Sequence, residues 1–433
     1  MAEPAGGASL RTTALVLVGW AALIVGTGRW GRAIAESGTV IRLGAAPLGG
    51  WYDWRLNPRV ALPLATGALL VGALPVVARR WPWRRALVVA TASAAAWAVA
   101  LAVTDGWFGL TNPTVLRGDE YLLDVPLVDD PGTFLRGFTA DIDRYVTHVR
   151  SHPPGLLLGL WGLDRLGLGG PGWTAALFIA GGAAAVPAVL VAVRRVAGEA
   201  SARAALPFVA VAPAALWVAT TADALFAGVG AWAATSVVLA LHRTDRRGDA
   251  LAVLGGLGFG ILVHLSYGAV LVAAVPGVVA VARRRVRPLV LAVLGALPVF
   301  AAFTAAGFWW VDGLLTTSRE YEQSVASTRP YHYFVLANLG ALAIVLGPAV
   351  VVALVRLRAG ALWLLVGGAL LAVGVADLSG LSKGEVERIW LPFAVWILAA
   401  AAVLGERLPV ARRWLAVQAL VAVVVQVAVR SRW

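Results

Sequence analysis

The chain alternates long apolar stretches with short polar ones from end to end. Thirteen apolar runs recur, at 12–28, 60–78, 86–104, 173–193, 204–220, 224–241, 250–265, 268–282, 288–306, 333–354, 360–375, 389–405 and 412–429. A helix rises about 1.5 Å per residue, so roughly 17–25 apolar residues cross a hydrocarbon core of about 30 Å. The pattern predicts an all-α polytopic membrane protein of about 13 transmembrane helices, with 1–433 as a single integral membrane domain. Within it, 1–85 form an N-terminal helical pair and 86–245 a module around a large loop at 105–172. Residues 246–433 form C-terminal helices with loops at 307–332 and 376–388. No small-residue cleavage signature follows the first apolar run, which is expected to be a retained span.

Composition agrees with this pattern. The chain is 60% hydrophobic and 14% charged, against roughly a quarter charged in soluble domains. Cysteine is absent, so disulfides and thiolate sites are excluded. The net charge of +13 does not signal nucleic-acid binding, because the basic residues are dispersed in short clusters between apolar runs. Lys383 is the sole lysine, and with the abundant Ala, Gly and Val the arginine bias suggests a GC-rich bacterial genome, hence a bacterial plasma membrane.

The arginines also set the orientation. Arg11, the clusters around Arg79–Arg85, Arg194–Arg203, Arg243–Arg247 and Arg283–Arg287, and those around Arg356 and Arg412 share one side. That side carries 20 basic and 5 acidic residues, and the other 16 and 18. The positive-inside rule makes the first side cytoplasmic, with the N-terminus inside and the C-terminus outside. Arg430 and Arg432 run against the bias. The long loops 29–59, 105–172, 307–332 and 376–388 then lie outside, and the cytoplasmic links are short, basic and suited to anionic lipid headgroups. No Walker pattern is present, so an activated substrate must arrive in the membrane or from outside.

The loop 105–172 is a polar island with eight carboxylates between Asp105 and Asp143. Asp129-Asp130-Pro131 reads as a capped helix start. Phe134, Leu135, Phe138, Ile142, Tyr145, Val146 and Val149 follow at helical spacing, which predicts one amphipathic helix lying on the outer membrane surface, ended by Pro153-Pro154. The run 156–168 is too short to span and reads as a second interfacial or re-entrant piece. Before the helix, Asp119-Glu120 beside Tyr121 is either a solvated loop pair or a carboxylate that takes a proton from a hydroxyl nucleophile. His148 and His152 have the i, i+4 spacing of a metal pair but lack the glutamate of the H-E-x-x-H pattern. With Arg150 they offer donors to an anionic group such as phosphate, or they cap and pack. No cofactor is called for, and a divalent cation stays open as an alternative.

Three other outer segments carry chemistry. Asp223 sits in a tight hairpin between spans, as a functional carboxylate or a helix cap. His264, Ser266 and Tyr267 form another hairpin. The loop 307–332 interleaves aromatics with Arg319, Glu320, Glu322 and Arg329, in the manner of a membrane belt or a headgroup site. In the last loop Lys383 and Arg388, with Glu385 between them, can hold a lipid-linked phosphate or snorkel and pair with neighbouring glutamates. No carboxylate lies in the middle of a span, unlike ion-coupled transporters.

Asp119-Glu120-Tyr121, opening the large loop, and His152-Pro153-Pro154-Gly155, closing its helix, together resemble the type-C (GT-C) polyprenyl-phosphate-dependent membrane glycosyltransferases. That superfamily includes protein O-mannosyltransferases and aminoarabinose lipid transferases. The resemblance covers 86–240 by motif and the whole chain by hydropathy. It departs in one respect: the acidic motif follows the third span where the family has it after the first. Either two spans precede the family pattern, or Glu36 and Asp53 are the acidic residues. The first option is favoured, since the loop holding Glu36 and Asp53 lacks the helix and the proline pair. The resemblance implies that a sugar on a polyprenyl phosphate enters from the outer leaflet. Asp119 or Glu120 would deprotonate an acceptor hydroxyl on an envelope glycan, lipid or protein. Attack at the anomeric carbon would invert it, with Arg150, Lys383 and Arg388 stabilising the departing phosphate. Tyr121, His148, His152, Asp223 and Glu385 would line the substrate site. Two rivals remain at this point: a transporter or flippase of a lipid-linked precursor, and a non-catalytic partner in an envelope complex.

Overall fold

The structure, a computed structural model, describes residues 10–111, 118–358 and 360–431. It is an all-α membrane protein. Among the described residues nine helices are long and apolar enough to cross a membrane, the longest being Leu10–Glu36 and Pro171–Ala197. Each falls on one of the thirteen predicted runs. Three others are shorter apolar helices, Gly268–Arg283, Leu362–Leu378 and Leu391–Gly405. The thirteenth, 204–220, is not one helix. Glu199–Ala210 stops, Ala212 turns extended (φ −135°, ψ 159°), and Pro213–Trp217 continues as a 3-10 turn. Proline disfavours helical backbone in the residue before it and supplies no N–H, so Ala212-Pro213 ends the helix where the apolar pattern runs on. The break sets Thr221 in extended backbone ahead of the next helix, Ala222–Ala240, and places Asp223 in that helix's first turn.

The long loops gather at one end of the bundle. The Gly49 N–H reaches Glu387, Arg150 faces Glu320, Thr317 bonds the Arg150 carbonyl, and Lys383 bonds Ser327. Residues Trp51–Tyr52 pair antiparallel with Val429–Arg430, and Arg430 Nε lies 3.1 Å from Asp53. Arg430 therefore lies with the first long loop; Arg432 lies outside the described residues. The arginine-rich links meet elsewhere: Arg203 bonds the Ala78 and Trp81 carbonyls, Arg195 that of His242, and Arg285 that of Leu241.

The large loop departs from its expected form. Asp130 caps a helix as predicted, accepting from the Thr133 N–H at 2.7 Å, but that helix runs only Pro131–Gly137. A 3-10 turn at Ile142–Arg144 and a short helix at Thr147–Arg150 follow. The interruption has a tertiary cause. The buried carboxylate of Asp124 accepts from the Val146 N–H at 2.7 Å, holding Tyr145 and Val146 extended. The apolar stripe is real but faces inward. Phe138 stacks on Tyr145 at 5.5 Å and meets Phe134 and Phe308 edge-on, all four buried within the protein. The run after the proline pair forms the helix Gly155–Arg165.

One kink shows how the bundle satisfies its backbone. In Tyr331–Arg356 the chain adopts φ 73° at Gly347, just before Pro348. A side chain there would strain the backbone and collide with Gln418. The fully buried Gln418 donates to the Leu346 carbonyl at 2.8 Å and accepts from the Ala349 N–H at 3.2 Å. An unpaired backbone group in an apolar interior costs about 1–3 kcal/mol, and Gln418 relieves two of them. Gln418→Leu is therefore expected to lower the melting temperature of the detergent-solubilised protein. An unchanged melting temperature would show that the kink is held by other means.

Candidate active site

Four chain segments converge on Arg388. This guanidinium is 6% exposed and sits at the end of the last long loop, in the short helix Val386–Ile389. Its NH1 donates to Asp223 at 2.9 Å and its NH2 to Glu385 at 2.8 Å. Glu385 reaches it because its own backbone is left-handed, φ 61°, directly after Gly384 at φ 90°. NH2 also faces His148 Nε2 at 3.2 Å. On the far side of that ring, His148 Nδ1 lies 3.1 Å from Glu120. A guanidinium only donates, so the His148 Nε2 accepts and its proton sits on Nδ1, directed at the Glu120 carboxylate. A continuous line runs from Glu120 through His148 to Arg388 and on to Asp223 and Glu385.

Local structure explains how each group arrives. The His148 backbone N–H is tied to the Asp119 carbonyl at 3.1 Å, which sets the two ends of the large loop side by side. His152, one turn on, donates from Nδ1 to the His148 carbonyl at 2.9 Å. Tyr121 lies against both imidazoles, with ring centroids 6.1 and 5.9 Å away. Glu120, Tyr121, His148, His152, Thr220, Thr221, Ala222, Asp223 and Arg388 enclose a pocket of about 10 Å³, room for about one water molecule. Two hydroxyls there, on Tyr121 and Thr220, are buried without a hydrogen-bond partner among the described residues.

Burial and charge tune these groups. Burial pushes His152 down to about 4, against the pull of Asp223, so it is neutral near pH 7. Burial, then the Asp223 and Glu120 charges, raise the Tyr121 phenol well above its ordinary value. Burial disfavours charge on Arg388, but Asp223 and Glu385 outweigh it and hold the guanidinium protonated. Burial acts on Glu385 in the raising direction, and the Arg388 and Arg329 charges overcome it to leave Glu385 below the usual carboxylate range. Next to Arg388, fully buried Glu387 accepts from the Gly49 N–H at 2.8 Å, and its second oxygen has no partner among the described residues. Burial pushes this carboxyl up to about 7.

Of the residues singled out in the sequence, Glu120, Tyr121, His148, His152, Asp223, Glu385 and Arg388 come together. Asp119 does not enter the pocket: its carboxylate turns away and accepts from the Thr147 hydroxyl at 3.0 Å. Arg150 is drawn toward Glu320 at 3.5 Å. Lys383 donates to the Ser327 carbonyl at 2.9 Å and lies over the Tyr321 ring, away from the pocket. Glu36 is exposed at a helix end and Asp53 pairs with Arg430, so neither joins Glu120 in the pocket. Thr220 and Thr221 escaped notice because they close an apolar run. Among the described residues no three His, Cys, Asp or Glu side chains are arranged to hold a metal ion.

No protein-family model and no curated protein matches the chain. Among solved structures, two of an Archaeoglobus fulgidus oligosaccharyltransferase are similar. The first, described as a complex with Zn and sulfate, shares 17% identity over 79% of this chain and 53% of its own, with a TM-score of 0.46. The second, an apo form, shares 16% over 75% and 50%, with a TM-score of 0.38. This chain thus spans about half the length of those proteins.

Removing one member of a buried ion pair strands the other, at a cost of about 3–5 kcal/mol. Asp223→Asn and Arg388→Gln should each destabilise the protein, and the double variant should lose less than the sum of the two. Strict additivity in thermal unfolding would contradict the pairing. Glu387 gives a pH signature. Its folded value of about 7 lies above the ordinary 4.5, so the folded state holds the proton more tightly. Its contribution to stability is complete below about 4.5, declines as pH rises toward about 7 and is flat above. Glu387→Gln keeps an acceptor for Gly49 and should gain stability over wild type by about 3 kcal/mol at pH 8, with little gain near pH 4. A pH-independent difference would contradict the assignment.

Proposed function

We propose that this protein is a membrane glycosyltransferase that moves a sugar from a polyprenyl-phosphate donor to a hydroxyl of a cell-envelope glycan, lipid or protein. In this reading the pocket faces outward from a bacterial plasma membrane, with the N-terminus and the arginine-rich links in the cytoplasm. The observation that carries the reading is the meeting of Glu120–His148 with Arg388–Asp223 in one buried pocket. A carboxylate able to take a proton lies one imidazole away from a cation able to receive a phosphate.

The roles follow from the atoms. The acceptor oxygen forms a bond to the anomeric carbon while its proton passes to Glu120. The bond from that carbon to the phosphate oxygen breaks, and its electron pair leaves with the phosphate. Inversion follows, because attack and departure lie on opposite faces of the carbon. Arg388 is the group suited to the departing charge, since it is buried, protonated and fixed before the reaction begins. His148, with its proton on Nδ1, orients the Glu120 carboxylate. Tyr121 and Thr220 bring buried hydroxyls with unused hydrogen-bonding capacity, which suits contacts to sugar hydroxyls. The pocket takes about one water molecule as it stands, so sugar entry requires the 118–128 segment to draw away from Thr220–Asp223.

Asp119 and Glu120 are neighbours in sequence with different surroundings, and this separates the reading from its rivals. With polyprenyl-phospho-sugar donors and envelope acceptors, Glu120→Gln is expected to reduce transfer by about 10²–10⁴-fold. Asp119→Asn should keep it within a few fold. Full transfer by Glu120→Gln would refute the assignment. Movement of the lipid-linked sugar across liposomes without turnover would favour a transporter instead.

A further inference from the structure

A second cavity, far larger than the first, lies at the other end of the bundle. It measures about 610 Å³, within the roughly 300–1,000 Å³ of small-molecule sites. Arg388 precedes the helical stretch Leu391–Gly405, and the cavity touches its far end, about 20 Å away by helical rise. Three arginines line the cavity, Arg79, Arg203 and Arg358, against a single carboxylate, Glu406. The rest of the wall is small and largely apolar, with Ala200, Ala361 and Ala402 among its residues.

Arg203 is committed to the protein: it pairs with Glu199 at 2.8 Å and bonds the Ala78 and Trp81 carbonyls. Arg79 donates one N–H to the Gly405 carbonyl at 2.7 Å and meets no carboxylate among the described residues. Arg79, in the last turn of the helix Ala61–Arg80, and Arg358, in the link after Tyr331–Arg356, are both exposed and line one space. A guanidinium has five N–H donors in a planar fork that matches phosphate oxygens. An apolar chamber with cationic walls, between the ends of membrane helices, suits an amphiphile better than a soluble ion.

We propose that this cavity binds the phosphate headgroup of an anionic glycerophospholipid, held by Arg79 and Arg358, with the start of its acyl chains against the alanine wall. The site is separate from the Arg388 pocket and does not depend on the activity assigned there.

Native mass spectrometry of the full chain in neutral detergent tests this, with phosphatidylglycerol, phosphatidylcholine and soluble glycerol 3-phosphate as the probes. One phosphatidylglycerol should be retained through activation that strips phosphatidylcholine, and glycerol 3-phosphate should not displace it. The Arg79→Gln/Arg358→Gln variant should retain it about thirtyfold less, since each basic residue near an anionic headgroup contributes roughly a fivefold factor. Ala361→Trp fills the cavity while keeping every arginine, and should also lose the lipid with an unchanged melting temperature in lipid-free detergent. Equal retention of the two lipids, or retention unaffected by both variants, would overturn the proposal. Displacement by glycerol 3-phosphate would instead make this a site for soluble phosphate esters and overturn the lipid assignment.

Discussion

A guanidinium sealed in the interior of a membrane protein persists only if anions surround it, because its desolvation costs several kcal/mol. Arg388 is such a group, and much of the architecture around it supplies those anions. Asp223 comes from the first turn of a helix that begins after a proline break. Glu385 comes from the same loop, through a left-handed residue that turns its carboxylate back. Glu120 acts through His148, which spans the gap between the large loop and the guanidinium. The strain at Glu385, of a kind that costs about 1–3 kcal/mol in a non-glycine residue, is sustained by the pairing it permits.

This requirement also ties the long loops into one layer. Glu387, beside Arg388, holds the Gly49 N–H of the first loop, and the following strand residues pair with the chain's last described segment. The helix Trp310–Gln323 is fastened to the large loop through Thr317 and to the last loop through Tyr321. Polar contacts of this sort are directional where the apolar packing between spans is not. They fix the relative positions of loops that hydrophobic burial alone leaves free to slide.

Much of this was legible in the chain. Apolar run length located the helices, and Asp130-Pro131 located a helix start, because both signals are local. Glu120, His148, His152, Asp223 and Arg388 stood out as charged or imidazole groups where a membrane protein can ill leave them unsolvated. What failed was non-local. The stripe from Phe134 to Val149 has helical spacing, yet Asp124 interrupts it with one hydrogen bond to Val146 that no periodicity reveals. Spacing could not choose between adjacent Asp119 and Glu120; only the fold turns one toward Thr147 and the other toward His148. Nor does spacing show that Lys383 and Arg150, read as phosphate cations, lie outside the pocket beside Ser327 and Glu320. Glu387 resembled an ordinary loop acid until Gly49 closed over it.

On the proposed function Arg388 receives a lipid-linked phosphate, and a cryo-EM structure of the protein saturated with a polyprenyl monophosphate tests this most directly. The predicted result is phosphate density within hydrogen-bond distance of the Arg388 guanidinium, with Asp223 or Glu385 drawn off to make room. Phosphate bound elsewhere, with the Arg388–Asp223 pair undisturbed, would contradict it.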